Sequence, residues 1–327
     1  MATRSLGACR IGNLARSFPV ELITEDDGGD PRTASLAAQR LATQGVAAVI
    51  GTYGSSVTEA SQGIYDEAGI IQIANGSTAI RLTEKGLKHF FRTSPRDDEQ
   101  GRVAAQTIKK MGFNKVAVLH DNTSYAKGLA DETRALLTKR GAQVVFYDAL
   151  TPGERDYSAI LTKLKGAGPE AVFFTGYYPE AGLLLRQKKE MNWNAPFIGG
   201  DATNNPDLAK IAGQEAAAGF YFLSPPVPQD LDSPEAKAFL AAYQQAYREL
   251  PASIWAVLAG DGFRVAAAAI AGAKTTDSDK VAAYLRNDLK DFPGLTSAIS
   301  FDAKGDRVGE VYRLYKVAPD GAFVLQK

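Results

Sequence analysis

The sequence is poor in the side chains that disulfides and metals require. It has one cysteine and two histidines in 327 residues. A single cysteine excludes an intrachain disulfide and a cysteine metal cluster, and two histidines leave little material for a zinc site. Lysine plus arginine and aspartate plus glutamate both number 37, so the formal net charge is zero. Balanced charge gives no overall attraction to nucleic acid or to an anionic membrane, and we expect neither as a partner.

Long hydrophobic runs are also missing. No apolar run approaches the roughly 18 residues that a membrane helix needs, so we predict no membrane insertion. Residues 1–18 contain three arginines and no apolar stretch of secretory length. We therefore expect no signal peptide in this chain. A length of 327 residues exceeds the usual size of one core, and 45% hydrophobic residues supply enough apolar material for two lobes.

Short β-rich runs alternate with longer amphipathic segments from residue 19 onward, a pattern typical of a parallel sheet covered by helices. Strands are predicted at residues 20–24, 46–50, 70–74, 116–120, 144–148, 171–175, 196–200 and 219–223. The segments between them have the spacing of amphipathic helices, and several end in glycine. The predicted fold class is therefore α/β, with parallel sheets flanked by helices.

The pattern changes after residue 224. A proline-rich crossing is followed by two predicted helices, at residues 233–249 and 252–272. From residue 297, apolar and polar residues alternate around the turns AKGD and APDG, which predicts antiparallel hairpins. Two α/β halves with helices inserted late suit a bilobal protein whose chain crosses between its lobes more than once.

Five loops follow the carboxyl ends of predicted strands, where open parallel sheets bind ligands. They are GTYGSS (51–56), NGSTA (75–79), DNTSYAKG (121–128), GYYPEAG (176–182) and GGDATNN (199–205). The first two are expected to begin helices, where hydroxyls and backbone N–H groups can share an anion. A simple N-cap is the alternative interpretation for Ser55, Ser56, Ser77 and Thr78.

No nucleotide motif accompanies these turns, because GxxxxGK[ST] is absent and the GxG at residues 260–262 lies inside a predicted helix. The other three loops supply Tyr125, Tyr177, Tyr178 and Asp201. Each of these alone is an ordinary packing or turn residue. Together they would place a carboxylate opposite two anion-binding turns, with aromatic walls between them. That combination suits a small zwitterion.

Patterns for catalysis are weak. Neither His89 nor His120 has a triad context, and the chain contains no GxSxG elbow and no HExxH spacing. His120 ends a predicted strand, where a hydrogen-bonded structural histidine is the simpler interpretation. We therefore expect no enzyme, with a hydrolase or amidase that uses His120 or the Ser55 loop as the alternative.

Several segments also match a known family in their order along the chain. They are the run from ELITEDDGGDP to GRVAA (21–105), KVAVLHDNTSYAKGLA, TPGERDYSAILTKLK, VFFTGYYPEAGLLLRQ, GGDATNNPDLAKIAG and SFDAKGD. Together they resemble the branched-chain amino-acid binding proteins of bacterial ABC transporters, which have the type I periplasmic binding fold. The resemblance covers the chain from about residue 19 to its end. It implies two Rossmann-like lobes, 1–95 with 225–300 and 96–224 with 301–327, that close on an amino acid like a hinge.

The resemblance further implies a set of ligand-binding residues, namely Tyr53, Gly54, Ser55, Gly76, Ser77, Thr78, Tyr125, Tyr177, Asp201 and Trp255. Ser55 and the backbone N–H groups near it would bind the α-carboxylate of the ligand, helped by Thr78. The carbonyl of Gly76, the hydroxyl of Thr78 and the carboxylate of Asp201 would hold the α-ammonium.

The aromatic members of this set have implied roles as well. Tyr125 and Tyr177 would close over the ligand from the second lobe, and Tyr53 and Trp255 would line the side-chain pocket. Two features depart from the family. Position 201 is aspartate where close relatives can carry glutamate, which shortens the reach to the ammonium. The strand and helix with which relatives begin have no counterpart in residues 1–18.

The implied function is that of a receptor that captures an amino acid, of branched-chain type by default, and presents it to the permease subunits of an ABC importer. The resemblance implies a periplasmic or extracytoplasmic monomer that binds no cofactor and no metal. A ligand-sensing regulatory domain of the same fold stays open as an alternative function. Amides, aromatic acids and urea-like solutes stay open as ligands.

Overall fold

The computed structural model describes residues 19–326, and this part of the chain forms helices α1 to α12 and strands β1 to β12. The helices are Pro31–Thr43, Ser55–Glu67, Arg81–Glu84, Asp97–Lys110, Ser124–Lys139, Ser158–Gly166, Tyr178–Glu190, Asp207–Ala212, Gln214–Ala217, Pro234–Tyr247, Ile254–Ala273 and Ser278–Asn287. The strands are Ala48–Ile50, Ile71–Ala74, Phe90–Arg92, Lys115–His120, Gln143–Ala149, Ala171–Phe174, Phe197–Gly199, Tyr221–Ser224, Phe292–Pro293, Ala298–Ile299, Arg313–Val317 and Phe323–Leu325.

The described chain divides into two compact units. Unit 1 contains residues 19–77, 81–94 and 258–308, and unit 2 contains residues 78–80, 95–257 and 309–326. Residues 225–257, which the sequence predicts for the first lobe, fall in unit 2, and residues 301–308, predicted for the second, fall in unit 1. Each unit therefore draws on separate stretches of the chain.

Unit 1 is built on a parallel sheet in the order β1-β2-β3. Ile73 in the central strand is fully buried and packs in one core with Val265 of α11 and Leu285 of α12. A second, smaller core forms where α1 packs against α2, with Leu41 and Tyr65 as buried members. Strands β9 and β10 form a separate antiparallel pair.

Unit 2 is built on a seven-stranded sheet in the order β12-β11-β8-β7-β6-β4-β5. Strand β11 is antiparallel to β8 and β12, and the other neighbours are parallel. Successive residues of β4 enter opposite cores, with Ala117 and Leu119 in one and Val116 and Val118 in the other. The alternation is the period-two pattern of a strand that is buried on both faces, so helices cover both sides of the sheet.

Most predicted strands are present within two residues of their predicted ends, but the strand predicted at residues 20–24 is wrong. This segment has no strand partner among residues 19–326, and Val20 and Leu22 are exposed. A hydrophobic alternation becomes a strand only where a neighbour supplies ladder hydrogen bonds. Strand β3 was not predicted, because its three residues are too short to show a period.

The C-terminal prediction of antiparallel pairing is correct, since β11 and β12 pair across the APDG turn and Phe301 bridges Arg307 across AKGD. The two predicted late helices correspond to α10 and α11. Helix α11 has the length and composition of a membrane span, although the sequence predicts no membrane insertion, and half of it is buried in the structure. Core helices of globular proteins have the same composition, so this is weak evidence for a membrane span.

Candidate functional site

The loop GTYGSS leads from β1 into α2, as predicted. Gly54 precedes the helix in an extended conformation, and its carbonyl accepts hydrogen bonds from the N–H groups of Val57 (3.1 Å) and Thr58 (3.0 Å). Glycine offers no side-chain cap, so the first turn of α2 relies on groups other than a capping side chain. Ser55 is the first helical residue and is buried. The geometry is that of a helix start that can bind an anion.

The loop NGSTA does not begin a helix, and the prediction for Ser77 and Thr78 as helix-start residues is wrong. The next helix, α3, begins only at Arg81 and has four residues. The Ser77 carbonyl accepts hydrogen bonds from Arg92 Nη1 (3.2 Å) and Ser94 Oγ (2.9 Å). The Thr78 carbonyl accepts one from the Asp97 N–H (3.0 Å). Both carbonyls therefore accept hydrogen bonds from residues 15 to 19 positions further along the chain, and not from a helix that begins in this loop.

The side chain of Ser77 holds the two loops together. Its hydroxyl contacts that of Thr58 and lies 3.1 Å from the Thr52 carbonyl oxygen. Thr52 and Thr58 also bring their hydroxyls within 2.5 Å of each other. A cluster of hydroxyls with several mutual contacts fixes the backbone between β1 and α2. Ser77 thus has a structural role in the described chain.

Gly76 leaves room for Tyr53. A Cβ atom at position 76 would lie 2.6 Å from Tyr53 Cδ2 and 3.0 Å from both its Cα and its carbonyl oxygen. Real Cβ atoms do not approach so closely, so a side chain here would force the two loops apart. The ring of Tyr53 is partly exposed, at 39%. The two predicted loops are therefore in direct contact inside unit 1.

A buried ion pair supports the NGSTA loop from within unit 1. Arg92 Nε lies 2.5 Å from Asp306 Oδ1, and both side chains are buried. Thr83 completes the group, since its hydroxyl lies 2.9 Å from Asp306 Oδ2 and 2.8 Å from Arg92 Nη2. Arg92 is also the donor to the Ser77 carbonyl. The ion pair therefore connects the core of unit 1 to this loop.

Thr78 carries a buried hydroxyl that forms no hydrogen bond with any other described residue. The residue is 1% exposed, and its Oγ1 has no hydrogen-bond partner within residues 19–326. A buried hydroxyl without a partner costs free energy, and native structures contain few such groups. The hydroxyl can therefore bind a polar ligand atom without breaking an existing bond.

Asp201 is the centre of a polar cluster in unit 2. It follows β7 at the start of a short 3-10 turn and is 1% exposed. Tyr125 donates a hydrogen bond to its Oδ1 (2.9 Å), and Tyr312 donates one to its Oδ2 (2.7 Å). Its backbone N–H donates to Gln100 Oε1 (2.8 Å). We call Gln100, Tyr125, Asp201 and Tyr312 the acid cluster.

Burial controls the electrostatics of the acid cluster. It raises the pKa of Asp201 to about 6, against the opposing effect of the hydrogen bonds from Tyr312 and Tyr125. The pKa values of Tyr125 and Tyr312 lie well above the usual value, because both are buried and face the charge of Asp201. Both phenols are therefore neutral donors at physiological pH. No lysine or arginine of the described chain forms an ion pair with Asp201.

The remaining predicted residues belong to unit 2 and lie at or near the starts of helices α7 and α11. Tyr177 precedes α7, is half-buried, and places its ring centroid 5.5 Å from that of Tyr125. Burial also raises its pKa. Tyr178 packs against a hydrophobic core, which makes it a packing residue. Trp255 is the second residue of α11 and is half-buried.

Both histidines have structural contacts. His120 is buried, and its Nδ1 accepts a hydrogen bond from the Asn122 N–H (3.0 Å). Burial lowers its pKa. His89 places Nε2 3.0 Å from Asp279 Oδ1. Residues 19–326 contain no group of three or more His, Cys, Asp or Glu side chains that could hold a metal ion.

Gln100 and Tyr312 were not predicted as site residues. They lie 101 residues before and 111 residues after Asp201 in the chain. Gln100 is one of several polar residues of helix α4. Tyr312 directly precedes strand β11, and tyrosine is a common residue in and near strands. No motif or spacing joins them, so the sequence contains no signal for the acid cluster beyond Tyr125 and Asp201.

Comparisons with known proteins agree with this architecture. Residues 12–322 match the family described as periplasmic binding protein. Leu/Ile/Val-binding protein homolog 1 of Brucella abortus is 37% identical over 292 residues, which cover 89% of this chain and 77% of that protein.

Two solved structures are similar over 94% of this chain and 87% of their own. A leucine-binding protein from Thermotoga maritima has 28% identity and a TM-score of 0.88. A branched-chain amino acid transporter substrate-binding protein from Streptococcus pneumoniae, in complex with isoleucine, has 31% identity and a TM-score of 0.84. The predicted fold class and the predicted family resemblance are confirmed.

Proposed function

This chain belongs to the periplasmic binding protein family, and we propose that it is the solute-binding receptor of an ABC importer that binds a free branched-chain amino acid. The relatives support this ligand class, because the Brucella protein is named for Leu, Ile and Val and the Streptococcus structure contains isoleucine. The side chains of this chain support recognition of the two charged groups that every free amino acid carries.

The observation that carries the proposal is the environment of Asp201. Its carboxylate is buried and accepts hydrogen bonds from two neutral phenols, yet no cation of the described chain pairs with it. A buried carboxylate is costly unless a positive charge compensates it. An α-ammonium group supplies that charge together with N–H donors. We therefore assign Asp201 to the α-ammonium.

We assign the α-carboxylate of the ligand to neutral hydrogen-bond donors. The start of α2 contributes the buried Ser55 and its neighbour Ser56, the two helical residues that precede the N–H groups bonded to the Gly54 carbonyl. The hydroxyl of Thr78 adds a donor with no partner of its own among residues 19–326. Unit 1 contains Ser55 and unit 2 contains Asp201. We predict that a single ligand contacts both Ser55 and Asp201.

We further propose that the ligand is released unchanged to permease subunits on the extracytoplasmic side of the membrane, and that the receptor is a monomer. The proteins compared above are binding proteins by name. The contacts of His89 and His120 support a receptor over a hydrolase, because each histidine is engaged with neighbouring structural groups. Incubation with L-leucine amide should yield no free leucine.

Isothermal titration calorimetry with four related compounds tests the proposed ligand class. L-leucine should bind, whereas L-leucine methyl ester, which lacks the carboxylate, and 4-methylpentanoate, which lacks the ammonium, should each bind about 30-fold more weakly or worse. D-leucine keeps both charges in the wrong arrangement and should also bind weakly. If 4-methylpentanoate binds as tightly as L-leucine, the ammonium assignment is wrong.

Two variants complete the test. Asp201→Asn keeps the shape of the side chain but removes its charge, so it should weaken L-leucine binding by about 30-fold or more. Asp261→Asn is the matched control, because Asp261 is equally buried but accepts hydrogen bonds from Leu295 and Thr296 in unit 1. The control should lower thermal stability and leave L-leucine affinity unchanged. Unchanged affinity in Asp201→Asn would overturn the proposed function.

A further inference from the structure

Three hydrogen bonds form a closed ring that begins and ends at Asp201. The Asp201 N–H donates to Gln100 Oε1 (2.8 Å), Gln100 Nε2 donates to Tyr312 Oη (2.9 Å), and Tyr312 Oη donates to Asp201 Oδ2 (2.7 Å). The ring joins helix α4, the turn after β7 and the residue before β11, and all three residues are buried. It therefore connects three separate parts of unit 2.

The direction of every bond in this ring is fixed by chemistry. A backbone N–H can only donate, so the amide oxygen of Gln100 must face Asp201. The amide nitrogen then faces Tyr312 and donates to the phenol oxygen, and it also lies 3.5 Å from Oδ1 of Asp97, a second buried carboxyl beside the ring. The phenol proton of Tyr312 consequently points to the Asp201 carboxylate. Gln100 thus determines that Tyr312 acts as a donor to Asp201.

Steric contacts hold the ring in place as well. A Cβ atom at position 200 would lie 2.5 Å from Tyr125 Oη and 2.8 Å from Gln100 Oε1, so a side chain before Asp201 would displace both of these groups. Tyr125 fixes the second carboxylate oxygen. Each oxygen of Asp201 therefore accepts one phenol hydrogen bond, and hydrogen bonding by the Gln100 side chain and the Ala202 backbone N–H also lowers the pKa of the carboxyl against the larger effect of burial.

We propose that Gln100 and Tyr312 are positioning residues of the ligand site, which fix the orientation of the Asp201 carboxylate toward the ligand ammonium. The proposal rests on the proposed function for the identity of the ligand. The two residues act through Asp201 and do not need to touch the ligand. Their effect should therefore appear in the pH dependence of binding as well as in affinity.

The main test uses Tyr312→Phe, with Tyr315→Phe as its matched control. Tyr315 is a buried tyrosine of β11 whose hydroxyl donates to Asp230 Oδ2 (2.7 Å), so its loss removes a similar bond elsewhere. Calorimetry with L-leucine between pH 5 and 8 should show an affinity loss of about tenfold or more at pH 7 for Tyr312→Phe. The pH of half-maximal affinity should rise by about one unit. If Tyr312→Phe behaves like Tyr315→Phe, the proposal is overturned.

A measurement without ligand separates this proposal from the proposed function. Carboxyl ¹³C NMR of aspartate-labelled protein follows the titration of Asp201, whose signal is identified by its loss in Asp201→Asn. The midpoint should rise in Tyr312→Phe, because the carboxylate loses a donor. An unchanged titration midpoint of Asp201 would contradict the positioning role of Tyr312. If the unmodified protein binds no amino acid but the Asp201 midpoint still rises in Tyr312→Phe, the proposed function is wrong and the effect of Tyr312 on Asp201 is confirmed.

A second variant covers the case in which Tyr312→Phe does not fold. Gln100→Met keeps the length of the side chain but removes the donor to Tyr312. The phenol can then turn away from Asp201, so the NMR midpoint should rise in the same direction as for Tyr312→Phe. Folding of each variant is checked by circular dichroism. A folded Gln100→Met protein with the normal midpoint would contradict the role of Gln100.

Discussion

The loops of unit 1 and the acid cluster of unit 2 achieve rigidity with different chemistry. Ser77, Thr58 and Thr52 hold the loop before α2 through neutral hydroxyls and backbone carbonyls. The acid cluster instead holds one ionisable carboxylate with two phenols and an amide. A neutral hydroxyl network does not change between pH 4 and 8, whereas the carboxylate gains or loses a charge in that range. We therefore expect ligand binding by the acid cluster to depend on pH and ligand binding by the unit 1 loops to be independent of pH.

The pH dependence of binding should give the largest effect. Only the ionised form of Asp201 attracts an ammonium, and its pKa is raised to about 6. Affinity for L-leucine should therefore be nearly constant above pH 7 and fall by about tenfold per unit below pH 6. Calorimetry in a series of buffers measures this profile. Asp201→Asn should bind weakly with a flat profile, and a flat profile in the unmodified protein would contradict the assignment.

Stability should change with pH in the opposite direction. A carboxyl whose pKa is raised by folding contributes stability that is fully present below about pH 3.8 and is lost as the pH rises through about 6. The free energy of unfolding of the ligand-free protein, taken relative to Asp201→Asn, should therefore fall by about 3 kcal/mol between pH 4 and 7. Urea unfolding of both proteins isolates this contribution from those of other carboxyls.

The unit 1 loops should respond to a steric change instead. Gly76→Ala places a Cβ atom against the backbone of Tyr53, so it should lower the free energy of unfolding by about 1–3 kcal/mol. L-leucine affinity should fall at every pH by a similar factor. The control is Gly63→Ala in α2, where the added Cβ atom would meet no atom outside its own helix backbone within 4 Å. This variant should raise the free energy of unfolding by about 0.5–1 kcal/mol. Equal effects of the two variants on unfolding would show that the loop contact is not important.

The smallest expected effect comes from Thr78→Val. The hydroxyl has no partner in the described chain, so its removal should leave the free energy of unfolding unchanged or raise it by up to about 1 kcal/mol. L-leucine affinity should fall by about tenfold if the hydroxyl binds the ligand. Thr83→Val is the control, because its hydroxyl bonds Arg92 and Asp306 and its loss should destabilise unit 1. Unchanged affinity in Thr78→Val would remove Thr78 from the site.

The sequence predicted secondary structure well where its signal is local. Strand β4 follows from a short β-rich run, and helices α2 and α5 follow from helical spacing, each within a few residues. Residues 20–24 are also a short β-rich run, yet no described neighbour supplies ladder hydrogen bonds, and the segment is not a strand. Ser77 and Thr78 resemble a helix start, but the carbonyls of both accept bonds from distant residues. Prediction from a local sequence pattern is wrong where contacts with residues far along the chain determine the structure instead.

The sequence by itself determined the α/β class, the loops that follow the strands and the positions of Ser55, Tyr125 and Asp201 in those loops. Only the tertiary structure decided which of these side chains share partners. It placed Gln100 and Tyr312 on Asp201 and left the Thr78 hydroxyl without a described partner. The physical reason is that hydrogen bonds and burial depend on distances between residues far apart in the chain, and periodicity reports only neighbours along it.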